Sequence, residues 1–283
     1  MSRWGGRLAA LPLGAALALA FPRPGWWWLA PVGLVPLLLL AMAAPDGREA
    51  ALRAWLGGTG FFLAVNAFLF PTVGPFMVPL AMLLAVTWLP VGWLARTLLG
   101  PPPTGRVAQP RLAAALLLVP SAFVVGEALR SWEGLGGPWG LLGASQWNAP
   151  ALLAVAALGG IWGLSFLLVA VNVAVAAAVA PGVPTTTRAL AAVAAAALPL
   201  AAVGFWAWRP APGPAGTATV AFVQPGVVGP VEERFRASER LSRTLGPGAG
   251  VDLVVWGESS VGRDPVANPG DVTRLAAAAR SAG

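Results

Sequence analysis

The chain has 283 residues, of which 57% are hydrophobic and only 10% are charged, and its formal net charge is +7. A soluble domain carries about 25% charged residues, so this composition excludes an ordinary soluble globule and indicates a membrane protein. Because the sequence has no cysteine, histidine or lysine, these residues supply no thiol nucleophile, histidine base, lysine amine or Cys/His metal site. No cofactor and no metal are expected.

Long apolar segments predict a polytopic α-helical membrane domain over residues 1–208. Crossing about 30 Å of hydrocarbon takes roughly 20 residues. The first two segments are short or interrupted by prolines, so tilted or hairpin-like forms are expected for them. The seven predicted spans cover residues 7–22, 26–44, 53–71, 76–99, 111–130, 152–180 and 188–208.

The first span has an alternative interpretation as a secretory signal peptide, because Arg3 and Arg7 precede its apolar core. Further spans follow directly, and the run FPRPGWWW (21–28) is typical of a turn at the membrane surface. Both observations favour a retained span. Residues 131–150 are too polar and too rich in glycine for a simple span, and they predict an interfacial or re-entrant loop.

Arginine placement predicts the orientation of the domain. With the N-terminus in the cytoplasm, only Arg23 and Arg130 fall at the outer ends of spans, which is a clear positive-inside bias. The tail beyond residue 209 is then extracytoplasmic. The basic residues form no cluster on a soluble face, so nucleic acid is not an expected partner. The arginines on the cytoplasmic side are Arg3, Arg7, Arg48, Arg53, Arg96, Arg106, Arg111 and Arg188.

The tail changes in character after a Pro/Gly-rich linker at 209–216. Two apolar segments, 217–227 and 251–256, predict buried strands, and 231–245 and 271–283 predict helices. Alternating strands and helices are typical of an α/β layer. Residues 217–283 are therefore interpreted as the first part of an incomplete α/β domain.

Glu258 follows the second strand at the position where open α/β sheets collect their active groups. Position alone favours a simpler interpretation, a loop carboxylate that faces water. The surrounding run DLVVWGESS (252–260) resembles the first signature of the nitrilase superfamily, in which a strand ends in Trp/Phe-Pro-Glu. The upstream run VAFVQPGV (220–227) resembles that superfamily's first strand. The resemblance implies an α-β-β-α sandwich and makes Glu258 the general base of a Glu-Lys-Cys triad.

The membrane part resembles the apolipoprotein N-acyltransferase family, whose members carry a nitrilase-like domain beyond a bundle of membrane helices. The resemblance lies in LAFPRPGWWWLAPVGLVPLLL (19–39), GEALRSWEGLGGPWGLLGASQ (126–146) and LGGIWGLSFLLVAVN (158–172). It implies a multi-pass protein of the bacterial inner membrane that matures lipoproteins. The implied partners are the bilayer, a phospholipid acyl donor and a diacylglyceryl apolipoprotein acceptor.

Two departures from the family pattern affect this expectation. Gly257 replaces the usual proline, which loosens the turn and leaves the register of Glu258 intact. The lysine and cysteine of the triad are absent, so the chain is expected to be a fragment of a longer protein or a truncated gene product, and to be inactive by itself. In the complete enzyme, the resemblance implies that Glu258 activates a cysteine, which takes the acyl chain as a thioester and passes it to the lipoprotein amine.

Four residues near the 131–150 segment are further candidates for contact with lipid substrate. Glu127 and Arg130 lie three residues apart at the outer end of the fifth span, where an ion pair that fixes the loop is the simpler expectation. Trp139 and Gln146 are candidates to line a path for lipid. In the spans, Asn66 and Asn172 are expected to hydrogen-bond neighbouring helices.

Two other classes of function remain open. A membrane-tethered amidase of the nitrilase type would share Glu258 but would have no reason to carry the 126–172 block. A transporter with a small extracytoplasmic tail would need polar groups along its spans, and few are present. Ser259 and Ser260 are rejected as nucleophiles because no histidine or lysine is available to activate them.

Overall fold

The computed structural model describes residues 3–101, 109–132, 134, 137–210, 213, 215–226, 228–246 and 248–282. Arg106 and parts of the segments 131–150 and 209–216 lie outside these residues. The chain divides into two compact units, which we call the bundle unit (Met1–Arg209) and the tail unit (Pro210–Gly283). The helices of the bundle unit are α1 (Arg3–Leu17), α2 (Val35–Met42), α3 (Gly47–Val65), α4 (Phe70–Val73), α5 (Met77–Ala85), α6 (Leu89–Leu99), α7 (Gln109–Arg130), α8 (Pro150–Leu153), α9 (Ala156–Val179) and α10 (Thr185–Trp208).

Four helical stretches among the described residues are long and apolar enough to cross a membrane. They are Ala67–Leu99, in which short 3-10 turns join α4, α5 and α6, and the single helices α7, α9 and α10. The expected helical membrane domain is confirmed at this level. The seven-span topology and the orientation of the spans stay predictions, because α1 and α2 are short and α3 carries charges in its first two turns.

Close backbone contact joins α1 to α3. A Cβ atom added to Gly14 would lie 1.8 Å from the carbonyl oxygen of Gly57, and one added to Gly60 would lie 2.0 Å from that of Leu11. Small residues at helix interfaces allow such an approach in membrane proteins, where dispersion contacts rather than the hydrophobic effect hold helices together. The glycines of α3 are therefore packing residues.

Buried polar side chains fix the segment that the sequence predicts as a broken second span. Asn172 of α9 donates from Nδ2 to the carbonyl of Ala30 (2.8 Å) and accepts at Oδ1 from the N–H of Leu34 (2.8 Å). The N–H of Leu34 is a donor that the start of α2 leaves without a partner in the helix, and Ala30 lies in the turn that precedes it. Asn172 is expected from the sequence to hydrogen-bond a neighbouring helix, and its partners lie in the turn that leads into α2. Oδ1 of Asn66, for which the same is expected, accepts no hydrogen bond among the described residues.

A buried charge cluster of Arg7, Glu49 and Arg53 lies at the start of α3. Glu49 contacts Arg7 at 2.7 Å and Arg53 at 3.1 Å, and the Arg53 side chain is only 3% exposed. Arg53 also donates to the carbonyl of Leu40, near the end of α2 (2.9 Å). The cluster connects α1, α2 and α3 through charge-assisted hydrogen bonds.

The tail unit is a two-stranded parallel sheet with two helices. Strand β1 (Val220–Val223) pairs with β2 (Leu253–Trp256), with Val223 opposite Trp256, and α11 (Val231–Leu245) is the crossover between them. Helix α12 (Pro269–Ala282) follows β2 and packs on α11. A parallel pair with a helical crossover is the expected α/β arrangement. The nitrilase-like assignment of this unit stays a prediction.

Candidate functional site

The bundle unit presents a loop that buried side chains hold at several points. The 137–146 loop follows α7 and ends in a 3-10 turn, Leu142–Gln146. Glu127 of α7 accepts a hydrogen bond from the N–H of Leu142 (2.6 Å). Arg130, one turn later, donates from Nη1 to the carbonyl of Trp139 (3.0 Å). Neither side chain is more than 2% exposed, and the hydrogen bond of Glu127 is fully buried, whereas that of Arg130 is partly buried.

The simpler expectation for Glu127 and Arg130, an ion pair between them, differs from this geometry. Among the described residues, no contact within 4.0 Å joins their charged groups. Each side chain turns instead to backbone groups of the loop, which carry no partner of their own within a helix or sheet. The guanidinium of Arg130 also lies 4.5 Å from the centre of the Phe62 ring, a cation–π contact.

The far end of the loop is fixed by α9 and by the aromatic turn near residue 27. The N–H of Gly143 donates to Ser165 Oγ of α9 (2.8 Å). A Cβ atom at Gly143 would lie 2.6 Å from the carbonyl of Ile161, so only glycine allows this approach. Gln146 is fully buried and donates from Nε2 to the carbonyl of Trp27 (3.0 Å). Ser165 is the residue that sequence reasoning missed; its place in the GLSF run was the available signal.

Trp139 is the large aromatic residue that the loop exposes. Its side chain is 54% exposed, and its ring contacts Phe68 at 5.3 Å between centroids. The other three candidates, Glu127, Arg130 and Gln146, are buried beneath it. The loop thus exposes one large aromatic side chain, while buried polar side chains hold its backbone. A tryptophan in such a position suits the boundary between the headgroups and acyl chains of a bilayer.

Two cavities adjoin the loop and its flanking helices. One, of about 390 Å³, is mostly apolar and lies among Trp27, Pro31, the α8 region, α9 and α10. The other, of about 90 Å³, is lined by Asn66, Arg130 and Trp139 together with leucines 69, 80 and 84. Apolar pockets with a few polar groups are typical binding sites.

Glu258 lies in the tail unit, two residues after the end of β2. Both strands of the parallel pair end at the same edge, where Gln224 follows β1 and Glu258 follows β2. The Glu258 side chain is exposed, and among the described residues none of the hydrogen bonds and ion pairs involves its carboxylate. It is therefore available to a reacting group.

The turn that carries Glu258 is anchored from both sides. Ser259 adopts a positive φ of 59°, and its carbonyl accepts from Nη1 of Arg234 in α11 (2.9 Å). Trp256, the last residue of β2, donates from Nε1 to Ser242 Oγ (2.9 Å) and packs edge-on against Phe235. The strand end is thus positioned by α11. Groups of at least three His, Cys, Asp or Glu residues that could hold a metal are absent from the described part of the chain.

The fold and the loop define a class, a multi-pass helical membrane protein with a buried polar cluster beneath an aromatic surface loop. The apolipoprotein N-acyltransferase N-terminal domain matches residues 13–174, which is more than half of the chain and includes the whole 137–146 loop. The chain therefore belongs to the apolipoprotein N-acyltransferase family and is a bacterial membrane protein.

Curated relatives carry the same family name. The chain is 30% identical over 181 residues to an apolipoprotein N-acyltransferase of Pseudomonas putida, covering 58% of this chain and 33% of that protein. It is 33% identical over 181 residues to one of Azotobacter vinelandii (58% and 32%) and 36% identical over 169 residues to one of Coxiella burnetii (58% and 34%). The chain spans about a third of the length of these relatives.

Proposed function

We propose that the protein to which this chain belongs transfers an acyl chain from a membrane phospholipid to the N-terminal diacylglyceryl-cysteine of apolipoproteins. The observation that carries the proposal is the family match over residues 13–174. It is supported by the free carboxylate of Glu258 at the carboxyl edge of the β1–β2 pair, because reacting groups of open α/β sheets collect at that edge.

The proposed chemistry proceeds through a thioester in two steps. In the first step Glu258 takes the proton of a cysteine thiol, the thiolate attacks the acyl ester carbon, and the lysophospholipid leaves with the proton. In the second step the lipoprotein α-amine attacks the thioester, and its proton returns through Glu258 to the departing thiolate. A lysine stabilises the oxyanion in both steps. This chain contains neither the cysteine nor the lysine, so the 283 residues alone are expected to show no transfer.

The bundle unit has the role of binding the lipid substrate. Trp139 contacts the phospholipid, while Glu127, Arg130 and Gln146 are positioning residues that hold the loop. Support for this division comes from burial, because Trp139 is exposed and the other three side chains are not. The apolar cavity of about 390 Å³ between Trp27, α8, α9 and α10 has the size of a site for an acyl chain.

The proposed location is the bacterial inner membrane, with the N-terminus cytoplasmic and a nitrilase-like tail extracytoplasmic. The arginine bias of the spans supports this orientation. A tail on the outer side would meet both lipid-anchored substrates at the outer leaflet. Scanning cysteine accessibility at Ser2 and at Ser281 in intact cells would test it, since only the tail position should react with a membrane-impermeant reagent.

The alternatives predict other outcomes. A nitrilase-type amidase would hydrolyse a soluble amide in a Glu258-dependent reaction and would leave lipoproteins unchanged. A transporter would move a solute without Glu258. The loop of the bundle unit and the family match favour the acyltransferase over both.

The test of the proposal is an assay of the full-length gene product. Incubated with phospholipid and a diacylated lipopeptide, it should add the mass of one acyl chain to the lipopeptide, as read by mass spectrometry. Glu258→Gln should abolish this gain, because glutamine cannot take the thiol proton. Glu233→Gln, which removes another exposed carboxylate of the tail unit, is the matched control and should retain the activity. Full activity in Glu258→Gln would remove Glu258 from the mechanism.

A further inference from the structure

One arginine of α11 connects the two segments that follow the strands of the tail unit. Arg234 is half-buried, and its guanidinium donates three hydrogen bonds to backbone carbonyls. Nε donates to Val228 (3.2 Å) and Nη2 to Gly229 (3.2 Å), in the segment between β1 and α11. Nη1 donates to Ser259 (2.9 Å), the residue after Glu258. The segment after β1 and the turn after β2 are thus held by a single side chain.

The turn that carries Glu258 has a strained backbone. It is closed by a hydrogen bond from the N–H of Ser260 to the carbonyl of Gly257 (3.3 Å), which places Glu258 and Ser259 at its centre. Ser259 has a φ of 59°, in the left-handed region that residues other than glycine seldom occupy. Such a conformation persists only where surrounding contacts fix it. The hydrogen bond from Arg234 acts directly on the carbonyl of this strained residue.

A second contact holds the same turn against the start of α11. A Cβ atom added to Gly262 would lie 2.2 Å from Cγ1 of Val231, so the backbone after the turn lies directly on the helix. The Glu258 side chain itself is exposed, and its carboxylate takes part in none of the hydrogen bonds of the described residues. The direction of that carboxylate therefore depends on the backbone of the turn, which α11 holds through Arg234 and Val231.

We propose that Arg234 is a positioning residue for Glu258, because its three hydrogen bonds fix the turn and so direct the carboxylate toward the thiol that it deprotonates. A guanidinium suits this role, since its rigid fork of donors meets several acceptors at once. A displacement of about 1 Å at a reacting group can lower a rate about a hundredfold. Arg234 thus affects the reaction without touching a reacting atom. The inference rests on the proposed function in that Glu258 is taken as the general base.

Amide hydrogen exchange of the 283-residue chain in detergent micelles tests the connection without any acyl transfer. Arg234→Met keeps an apolar stem and removes the donors. Exchange at 257–262 and at 228–229 should accelerate together by about tenfold, as expected for the loss of one charge-assisted hydrogen bond. Exchange in α12 should change little. Arg240→Met removes an exposed arginine of the same helix and should leave both segments unchanged.

Single-turnover acylation of the full-length protein separates positioning from stability. At saturating phospholipid, mass spectrometry gives both the rate of thioester formation and its amplitude. Arg234→Met should lower the rate by about tenfold to a hundredfold and keep the amplitude, because each folded molecule retains a poorly directed Glu258. A purely structural role would lower the amplitude and leave the rate. Arg234→Lys returns a charged donor and should recover part of the rate, which also tests the proposal if the methionine variant does not fold.

Four results would overturn the inference: unchanged exchange at 257–262 in Arg234→Met, a lowered amplitude with the wild-type rate, no recovery in Arg234→Lys, or an equal loss in Arg240→Met. Thioester formation by the wild-type protein with unchanged exchange in Arg234→Met would leave the proposed function standing. Accelerated exchange in Arg234→Met without a thioester in the wild-type protein would do the reverse. It would overturn the proposed function and keep Arg234 as the residue that fixes the turn.

Discussion

Two ion pairs of adjacent helical turns, one in each unit of the chain, differ greatly in burial. In the bundle unit, Glu49 and Arg53 are 5% and 3% exposed and join three helices. In the tail unit, Glu232 and Arg236 are 40% and 63% exposed and lie on one face of α11. A buried charge that loses its partner costs several kcal/mol, whereas an exposed pair contributes little. The same chemistry is therefore structural at the Glu49–Arg53 pair and marginal at the Glu232–Arg236 pair.

The burial of apolar side chains also differs between the bundle unit and the tail unit. The bundle unit encloses large side chains such as Phe61, Phe62 and Leu164 at 0% exposure. Among the described residues of the tail unit, only Val223, Phe235 and Ala278 are buried apolar residues, and Phe222 on β1 is 78% exposed. Stability in the bundle unit thus depends on fully enclosed contacts. Substitutions at buried positions of the bundle unit should therefore cost more than those at exposed positions of the tail unit.

The largest expected effect comes from removing the centre of the buried charge cluster. Glu49→Ala leaves the guanidinium of Arg53 without its carboxylate and should lower the free energy of unfolding by about 3–5 kcal/mol. Denaturation in mixed micelles, followed by circular dichroism, measures the change. Arg48→Ala removes an exposed charge one residue away and should change stability by less than about 0.5 kcal/mol. Equal effects of the two variants would contradict a structural role for the cluster.

A smaller loss is expected at the contact between α1 and α3. Gly60→Ala places a Cβ atom 2.0 Å from the carbonyl of Leu11 and should destabilise the bundle unit by about 1–3 kcal/mol through overpacking. The control is Gly163→Ala in α9, where nothing lies within 4 Å of the added atom. The same denaturation experiment should show this control to be neutral or slightly stabilising, since alanine is the better helix former.

Release of the 137–146 loop should follow from loss of its carboxylate acceptor. Glu127→Leu leaves the N–H of Leu142 buried and unpaired, at a cost of about 1–3 kcal/mol that falls on the loop rather than on the whole bundle. Amide hydrogen exchange at 141–147 should therefore accelerate more than exchange in α3. Glu127→Gln keeps an oxygen acceptor and should retain most of the protection. Uniform acceleration throughout the bundle unit would contradict a local role.

The smallest effect, and a pH-dependent one, is expected in the tail unit. Partial desolvation raises the pKa of the Glu232 carboxyl, but the hydrogen bond from Arg236 and the positive charge of Arg274 outweigh it and hold that pKa below its ordinary value. The ionised form is therefore the stabilised one. Its contribution is present above pH 4.5 and is lost as the pH falls through the lowered pKa. Glu232→Gln should reduce the exchange protection of α11 slightly at pH 7 and not at all below that pKa.

The sequence predicts the elements of this protein better than the contacts between them. Apolar length identifies α7, α9 and α10, because burial in lipid imposes long apolar runs. The run VDLVVW identifies β2, although the structure leaves Leu253 exposed where the sequence predicts a buried strand. The partner of Asn172 could be anticipated as a neighbouring segment, since an amide within a span must find one. Its particular partners depend on how the chain turns before α2, and that path is set by tertiary structure.

The buried hydrogen bonds that hold the 137–146 loop could not be predicted from local sequence patterns. Spacing of three residues predicts that Glu127 and Arg130 pair with each other, yet both bond the loop backbone. The GLSF run marks Ser165 as a candidate, but its partner Gly143 is 22 residues away in sequence and could not be predicted from that run. Such contacts depend on the path of the loop, and no periodicity encodes that path.

The central claim is that Glu258 of the tail unit activates the nucleophile, while the bundle unit holds the lipid. Incubating the full-length protein with phospholipid alone and measuring its mass tests the claim most directly. The wild-type protein should gain one acyl chain as a hydroxylamine-labile thioester, and Glu258→Gln should bind lipid normally but gain no mass. Acylation of the Glu258→Gln variant at the wild-type rate would contradict the account.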